Sequence, residues 1–254
     1  MKRADYDAVV IGGGSAGMAT AAEIARGFKS VAIIEREETL GGILNQCIHN
    51  GFGLHHFKEE LTGPEYAERH LNEVTKLPIE IFDAMTVTEI QDLGDEKQVY
   101  GYSKKHGMVQ FSARALILAM GCRERNRGNI GTPGTRPSGV FTAGLAQRLV
   151  NIDGLVPGKE CVIVGSGDIG LIMARRMTWI GAKVKAVVEI QPYPAGLTRN
   201  IVQCLNDFDI PLYLSHVVSE IHGRHRVEGV DITPLKEGME NQEASFHVDC
   251  DTVL

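Results

Sequence analysis

Short apolar runs alternate with glycine-rich turns and with stretches of helical period along this chain, and the whole order occurs twice. Residues 6–11 read as a short buried strand and residues 12–17 as a glycine-rich turn. Residues 18–26 read as an alanine-rich helix, and residues 31–34 as a second strand ending at Glu35. Strand, helix and strand within about thirty residues make a βαβ unit, whose crossover is right-handed almost without exception. Residues 41–57 are polar, glycine-rich and irregular. Thr62 then predicts a helix cap, with Glu65 placed to reach back as in a capping box, and the helix runs to about Lys76. Short strands are predicted over 79–82, 86–91, 98–102 and 108–111, and a buried strand over 115–119 leads into Met120 and Gly121.

Residues 122–158 hold several glycines, four arginines before Pro137 and two prolines before Ser138, and read as a crossing segment with a helix over 143–150. The order then restarts. Residues 161–164 predict a strand, 165–170 a turn, 171–180 a helix, and 183–188 a strand ending at Glu189. A helix near 200–207 and strands over 212–214, 217–221, 227–232 and 244–248 follow. Residues 251–254 resemble the start of the strand near 114–118, so the second copy stops inside its closing strand. The expectation is two Rossmann-like three-layer α/β domains, 1–152 and 153–254, each with a β-meander. The first is expected to be truncated, without its C-terminal return segment.

The first turn is Gly12-x-Gly14-x-x-Gly17 and the second is Gly165-x-Gly167-x-x-Gly170. In such a turn the first glycine permits the tight reversal, the second lets a pyrophosphate approach the backbone, and the third lets the helix pack close to the sheet. The helix N-terminus then presents unpaired amides and a partial positive charge to the phosphates. Glu35 stands 18 residues past Gly17 and Glu189 stands 19 past Gly170, the distance at which a carboxylate accepts from ribose hydroxyls. A carboxylate at 189 repels a 2′-phosphate, and no Arg or Lys follows within five residues, so the second site is expected to prefer NAD over NADP. One such motif is weak evidence. Two, each between a strand and a helix and each with its acid, predict a chain built for two dinucleotides.

Composition narrows the setting. The 254 residues suit roughly two domains, and 43% apolar with 23% charged residues is ordinary for a globular protein. A net charge of −6 gives no reason to expect nucleic acid or an anionic membrane surface as partner. No stretch is long and apolar enough for a membrane span, which leaves the cytoplasm as the default expectation. Cys47, Cys122, Cys161, Cys204 and Cys250 are scattered without a C-x-x-C pair, a pattern of reduced thiols rather than of a disulfide framework.

With both turns and the 115–121 segment in view, the sequence resembles the two-dinucleotide-binding flavoprotein superfamily, the glutathione-reductase-like pyridine nucleotide oxidoreductases. The 115–121 segment looks like the strand and "ATG" stretch of the flavin domain, with Met120 in place of the usual Thr. Residues 42–53 and 121–125 resemble one branch: the FAD/NAD-binding subunits of dye-linked proline dehydrogenases, opine oxidases and hydrogen cyanide synthase, and relatives beside glycerol-3-phosphate dehydrogenases. The resemblance implies FAD on the first fold, NAD(P)H on the second, and hydride transfer between them, with a partner dehydrogenase or another acceptor. Electron transfer within a hetero-oligomeric amino acid, opine or glycerol-3-phosphate dehydrogenase, or a non-catalytic nucleotide-binding fragment, are the alternatives. Disulfide reductases place a C-x-x-x-x-C pair where this chain has Leu44 and His49, so a dithiol relay is not expected.

The cofactor-binding candidates are Gly12, Gly14, Ser15, Ala16, Gly17, Glu35, Arg36, Gly42 and Gly121 for the first fold. For the second they are Gly165, Gly167, Asp168, Ile169, Gly170 and Glu189. By resemblance Cys47 and His49 would lie near the flavin ring, where Cys47 is either a redox-active thiol, which needs a depressed pKa, or a small apolar packer. His49, His55 and His56 are proton-transfer candidates or surface residues. The adjacent pair His55-His56 lacks metal-ligand spacing, and no metal is expected. Arg123, Arg125 and Arg127 read as a solvated charge run, or as holding one arginine for an anionic flavin or a substrate carboxylate. Trp179 is expected to pack.

Overall fold

In the computed structural model, which describes residues 2–27 and 29–254, the chain divides into two compact units, Met1–Cys122 and Arg123–Leu254. The first opens with β1 (Lys2–Ile11), α1 (Ser15–Arg26) and β2 (Val31–Ile34). A small ribbon of β3 (Asn50–Phe52) and β4 (Leu61–Thr62) leads into α2 (Gly63–Val74). Then come β5 (Ile79–Phe82), β6 (Thr86–Asp92), β7 (Lys97–Ser103) and β8 (Gly107–Leu118). The sheet runs β5-β2-β1-β8-β7-β6, parallel from β5 to β8 and antiparallel from β8 to β6.

Alternation along the strands sends Val10, Val31 and Ile33 to one face, against Met18, Ala21, Ala22 and Ala25 of α1 and Val74 of α2. Val9, Ile11, Ala32 and Ile34 take the other face, against Met85, Val99, Val109 and Phe111. Both faces are covered, which is why the parallel strands read as unbroken apolar runs. The capping box forms: the Thr62 amide donates to Glu65 Oε2 at 2.7 Å, at the start of α2.

The second unit repeats the plan. It contains α3 (Arg127–Ile130), α4 (Ala143–Asn151), β9 (Glu160–Val164), α5 (Asp168–Trp179), β10 (Lys183–Glu189) and α6 (Thr198–Cys204). After them come β11 (Leu212–Leu214), β12 (His216–His222), β13 (Gly229–Lys236), β14 (Met239–Glu240), β15 (Phe246–Asp249) and β16 (Thr252–Val253). The parallel sheet has the order β11-β10-β9-β16. Cys161, Ile163 and Val187 face the helices, against Ala146, Leu171, Met173, Met177 and Cys204. Val162, Ala186 and Val188 face the meander, against Val218, Ile221, Val230 and Ile232.

Two sequence expectations shift. The strands expected over 108–111 and 115–119 are one strand, β8, because β1 reaches back to Lys2 and pairs its residues 2–6 with 109–113. Both glycine turns end earlier than expected, so α1 starts at Ser15 and α5 at Asp168. The segment after Cys122 belongs with the second compact unit. Residues 134, 138 and 140 bridge to Ile221, Arg226 and Val253, and Ala146 and Val150 of α4 join the core around Leu171. Turn-rich sequence carries no period that would reveal which core it joins. Among the described residues no helix is long and apolar enough to cross a membrane.

Candidate functional site

Each unit places its glycine turn at the C-terminal edge of its first parallel strand, where the chain enters a helix. In the first unit Gly12 has φ +107°, a conformation that costs an L side chain dearly, and a Cβ there would run into the Ala119 carbonyl. A Cβ on Gly17 would overlap the Gly12 carbonyl oxygen, so its absence sets how closely α1 approaches the turn. Gly14 differs. It is the N-cap of α1, in extended conformation, no side chain caps the helix, and nothing stands within 4 Å of where its Cβ would be. The first-turn amides, those of Ser15, Ala16 and Gly17, have no acceptor within their own helix, and they border that space.

Glu35 fixes this turn. Its carboxylate is buried and accepts from the Gly13 amide at 2.6 Å through Oε2 and from the Glu37 amide at 2.9 Å through Oε1. Gly42 lies against the turn as well: its Cβ position is 3.2 Å from Gly14 Cα, and the Gly41 amide donates to the Gly13 carbonyl at 2.9 Å. Ala119 donates to the Ile11 carbonyl at 2.8 Å, which brings the 119–121 stretch to the same edge. Arg36 is exposed and pairs with Glu37 at 3.5 Å.

The second unit repeats this geometry. Gly165 has φ +101°, Gly167 is the uncapped N-cap of α5 with open space at its Cβ, and a Cβ on Gly170 would stand 2.7 Å from the Gly165 carbonyl oxygen. Glu189 is buried and accepts from the Ser166 amide at 2.9 Å, the Ser166 hydroxyl at 2.6 Å and the Gln191 amide at 2.9 Å. Burial opposes its ionisation most strongly, yet the Ser166 and Gln191 hydrogen bonds together hold the carboxyl below its ordinary value. Asp168 opens α5, and its Oδ1 accepts from the Leu197 amide at 2.8 Å and from Asn200 Nδ2 at 2.7 Å, strapping the 195–200 segment to the turn. A cavity of about 410 Å³ adjoins, lined by Gly165, Gly167, Ile169, Thr142, Arg125 and Leu254 among others. It lies at the C-terminal ends of the parallel neighbours β9 and β16, the edge at which open α/β sheets bind ligands.

The other predicted residues fare unevenly. Cys47 is buried, and burial pushes its thiol up, away from the depressed value a redox thiolate needs. His49 is half-buried, its ring centroid 5.3 Å from that of Phe52 and its Nδ1 3.0 Å from the Asn50 carbonyl. His55 and His56 are exposed, and His56 stacks on the buried His70 at 5.3 Å. Arg127 is not a solvated charge: it donates to the carbonyls of Thr132 (3.0 Å), Pro133 (2.7 Å), Gly134 (3.0 Å) and Thr135, and so organises the crossing loop. Trp179 is 60% exposed, edge-on to Phe208 with the Arg175 guanidinium 4.8 Å above its ring.

Sequence reasoning missed Ser166, whose hydroxyl also accepts from the Ala195 amide at 2.8 Å; a hydroxyl residue inside G-x-G with an acid downstream would have signalled it. It also missed Glu124, which accepts from the Gly144 amide at 2.6 Å in the first turn of α4. No metal was expected, and the structure gathers His222, Asp231 and His247 on the meander, a group for which no sequence spacing gives a sign.

The residues at both turns fit a bound dinucleotide: amides without helical acceptors, room at the second glycine, and an acid locked beside the turn. Two such turns in two matching α/β units define a protein with two dinucleotide-binding folds. Residues 6–254 match the family described as pyridine nucleotide-disulphide oxidoreductase, and the chain belongs to that family of FAD-dependent oxidoreductases, which bind FAD and NAD(P). It is 28% identical over 247 residues to a thioredoxin reductase of Bacillus subtilis (strain 168), covering 96% of this chain and 72% of that one. It is 27% identical to an opine oxidase subunit of Agrobacterium tumefaciens (strain Ach5), covering 79% of this chain and 40% of that one. With hydrogen cyanide synthase subunit HcnB of Pseudomonas protegens it shares 29% identity over 71% of this chain and 38% of that one. The chain thus spans well under half of these two subunits. In fold it is similar to the crystal structure of T. acidophilum thioredoxin reductase, at TM-score 0.75 and 21% identity over 98% of this chain and 76% of that one. It is also similar to L-proline dehydrogenase from P. horikoshii, at TM-score 0.64 and 18% identity over 99% of this chain and 42% of that one.

Proposed function

We propose that the chain holds FAD on the 12–17 turn and NAD on the 165–170 turn, and passes hydride equivalents between NAD(H) and flavin, exchanging electrons with a partner dehydrogenase or another acceptor. The observation that carries this reading is the matched pair of turns, each opening an uncapped helix and each tied to a buried glutamate. Bound nicotinamide and flavin supply the redox chemistry themselves. What the chain's residues contribute is binding and orientation. The amides of α1 and α5 receive the pyrophosphates, while Glu35 and Glu189 hold the turns and set a carboxylate beside each ribose position. At position 189 that carboxylate favours a free 2′-hydroxyl over a 2′-phosphate, which is why NAD is assigned over NADP.

The similarity to thioredoxin reductase favours a second reading, reduction of a disulfide substrate. The scattered cysteines argue against it: this sequence has no C-x-x-C pair, and Leu44 and His49 stand where a C-x-x-x-x-C pair would be. The relatives named as subunits support an external electron partner instead.

An absorbance experiment tests the proposal. Protein reconstituted with FAD is expected to retain flavin absorption that bleaches with NADH faster than with NADPH, and to pass electrons to a dye without NADH-dependent reduction of a disulfide. Gly14→Ala should fold yet lose flavin, since its Cβ enters only the open space at the turn. Gly167→Ala should keep flavin and lose bleaching by NADH. Failure to retain flavin, or a G167A variant that bleaches normally, overturns the assignment.

A further inference from the structure

Strand alternation on the second meander sends Ile221, Val230, Ile232 and Val248 into the core and leaves His222, Asp231 and His247 on the opposite face. The three come from three adjacent strands, β12, β13 and β15. Asp231 is the direct cross-strand partner of His247, and His222 lies opposite Gly229, two residues before Asp231 on the same face. Gly229 is what lets them converge: a side chain there would collide with the His247 ring. Asp231 Oδ2 is 2.8 Å from His222 Nε2 and Oδ1 is 2.7 Å from His247 Nδ1. The three donor atoms all lie within 4.8 Å of one another.

We propose that this cluster is a binding site for a divalent transition-metal cation. Two imidazole nitrogens and one carboxylate oxygen suit Zn²⁺, Co²⁺ or Ni²⁺, whereas Mg²⁺ and Ca²⁺ prefer all-oxygen sets. The donors sit on paired strands and are held facing one another before any ion arrives, so binding asks for small side-chain movements and a change of imidazole tautomer. A second observation points the same way. The other ring nitrogen of His247, Nε2, lies 3.4 Å from Asp249 Oδ1. Once Nδ1 ligates a metal the ring proton must sit on Nε2, and a carboxylate in that place is the partner that orients a ligating histidine. Asp231 and Asp249 also set two formal negative charges around the position, complementary to a dication. The side chains of His222, Asp231 and His247 are 36%, 31% and 48% exposed, which leaves an entry path and room for water in the remaining coordination positions.

Titration of tag-free, chelator-treated full-length protein with Co²⁺, followed by its visible ligand-field absorption, and with Zn²⁺ by calorimetry tests the proposal. A Cys122→Ser background excludes the exposed thiol as a competing ligand. The expected result is one equivalent bound, with melting temperature raised by the metal. His222→Gln and His247→Gln should each weaken binding by roughly tenfold or more, and Asp249→Asn by about tenfold, as outer-shell changes do. Metal-free melting curves of the variants establish that they fold. Absence of stoichiometric binding at sub-millimolar metal overturns the site, as does binding that survives both histidine substitutions unchanged.

Discussion

The Ser166 amide donates to the Glu189 carboxylate at 2.9 Å, and the Gly13 amide donates to Glu35 at 2.6 Å in the matching place of the other unit. In both, the amide belongs to the residue after the first glycine, and the second carboxylate oxygen takes the amide two residues beyond the acid. The downstream acid of each fingerprint therefore has a structural task of its own. It ties the end of the second strand to the turn that follows the first, and so fixes the shape of that turn.

Glu189→Ala leaves the Ser166 amide and hydroxyl and the Gln191 amide without their charged acceptor. A stability loss on the order of 1–3 kcal/mol is expected, with weaker NADH binding and unchanged flavin retention. Thermal unfolding and NADH fluorescence titration measure the two effects, and a variant with wild-type values in both would remove Glu189 from the turn.

The same group predicts an acid limb. The folded-state carboxyl of Glu189 is held below its unfolded value, so its contribution is complete above an ordinary glutamate pKa of about 4.3 and is lost as pH falls through the folded value. The fall in melting temperature over this acid range should be shallower in Glu189→Gln than in the wild type. Parallel curves would contradict the assignment.

Asp168 places a negative charge in the first turn of α5, favourable for the helix and unfavourable for a neighbouring pyrophosphate. Asp168→Asn keeps an oxygen able to accept from Leu197 and Asn200 while removing the charge. NADH should bind several-fold more tightly while stability falls by roughly 0.3–1 kcal/mol. Equilibrium dialysis and urea unfolding separate the two, and a joint loss of affinity and stability would show that the strap matters more than the charge.

Thiol accessibility provides an independent check of the fold. Cys122 is exposed, whereas burial pushes the thiols of Cys161 and Cys250 up to about 12 and about 11 and also raises those of Cys47 and Cys204. Native protein at mildly alkaline pH should react with an aromatic disulfide reagent rapidly at a single thiol, with the remaining four reacting only after denaturation. Fast labelling of Cys47, identified by peptide mass, would mean the 42–47 segment opens readily.

The third glycine of the first turn acts through close approach. Gly17→Ala forces α1 away from the Gly12 carbonyl, an overpacking expected to cost about 1–3 kcal/mol. Gly14→Ala should leave the melting temperature nearly unchanged, and equal destabilisation by the two would refute the different roles given to these glycines.

The sequence by itself determined the duplicated βαβ plan, the two turns with their acids, and the capping box at Thr62 and Glu65. Each of these is a local pattern: a period, a glycine at a fixed offset, a polar residue at a helix start. It could not show that β1 and β8 extend together through polar residues, since Lys2 and Arg3 become strand by pairing with Val109 and Gln110 rather than by propensity. Nor could it assign the crossing segment, whose place is set by bridges from Gly134 to Ile221 and from Val140 to Val253. The guanidinium of Arg127, buried thiols such as Cys161, and the meeting of His222, Asp231 and His247 were likewise decided by tertiary structure. The His222, Asp231 and His247 cluster forms through a sheet register that only the packing of both faces fixes, and Arg127 reaches its carbonyls only once the loop folds back on it.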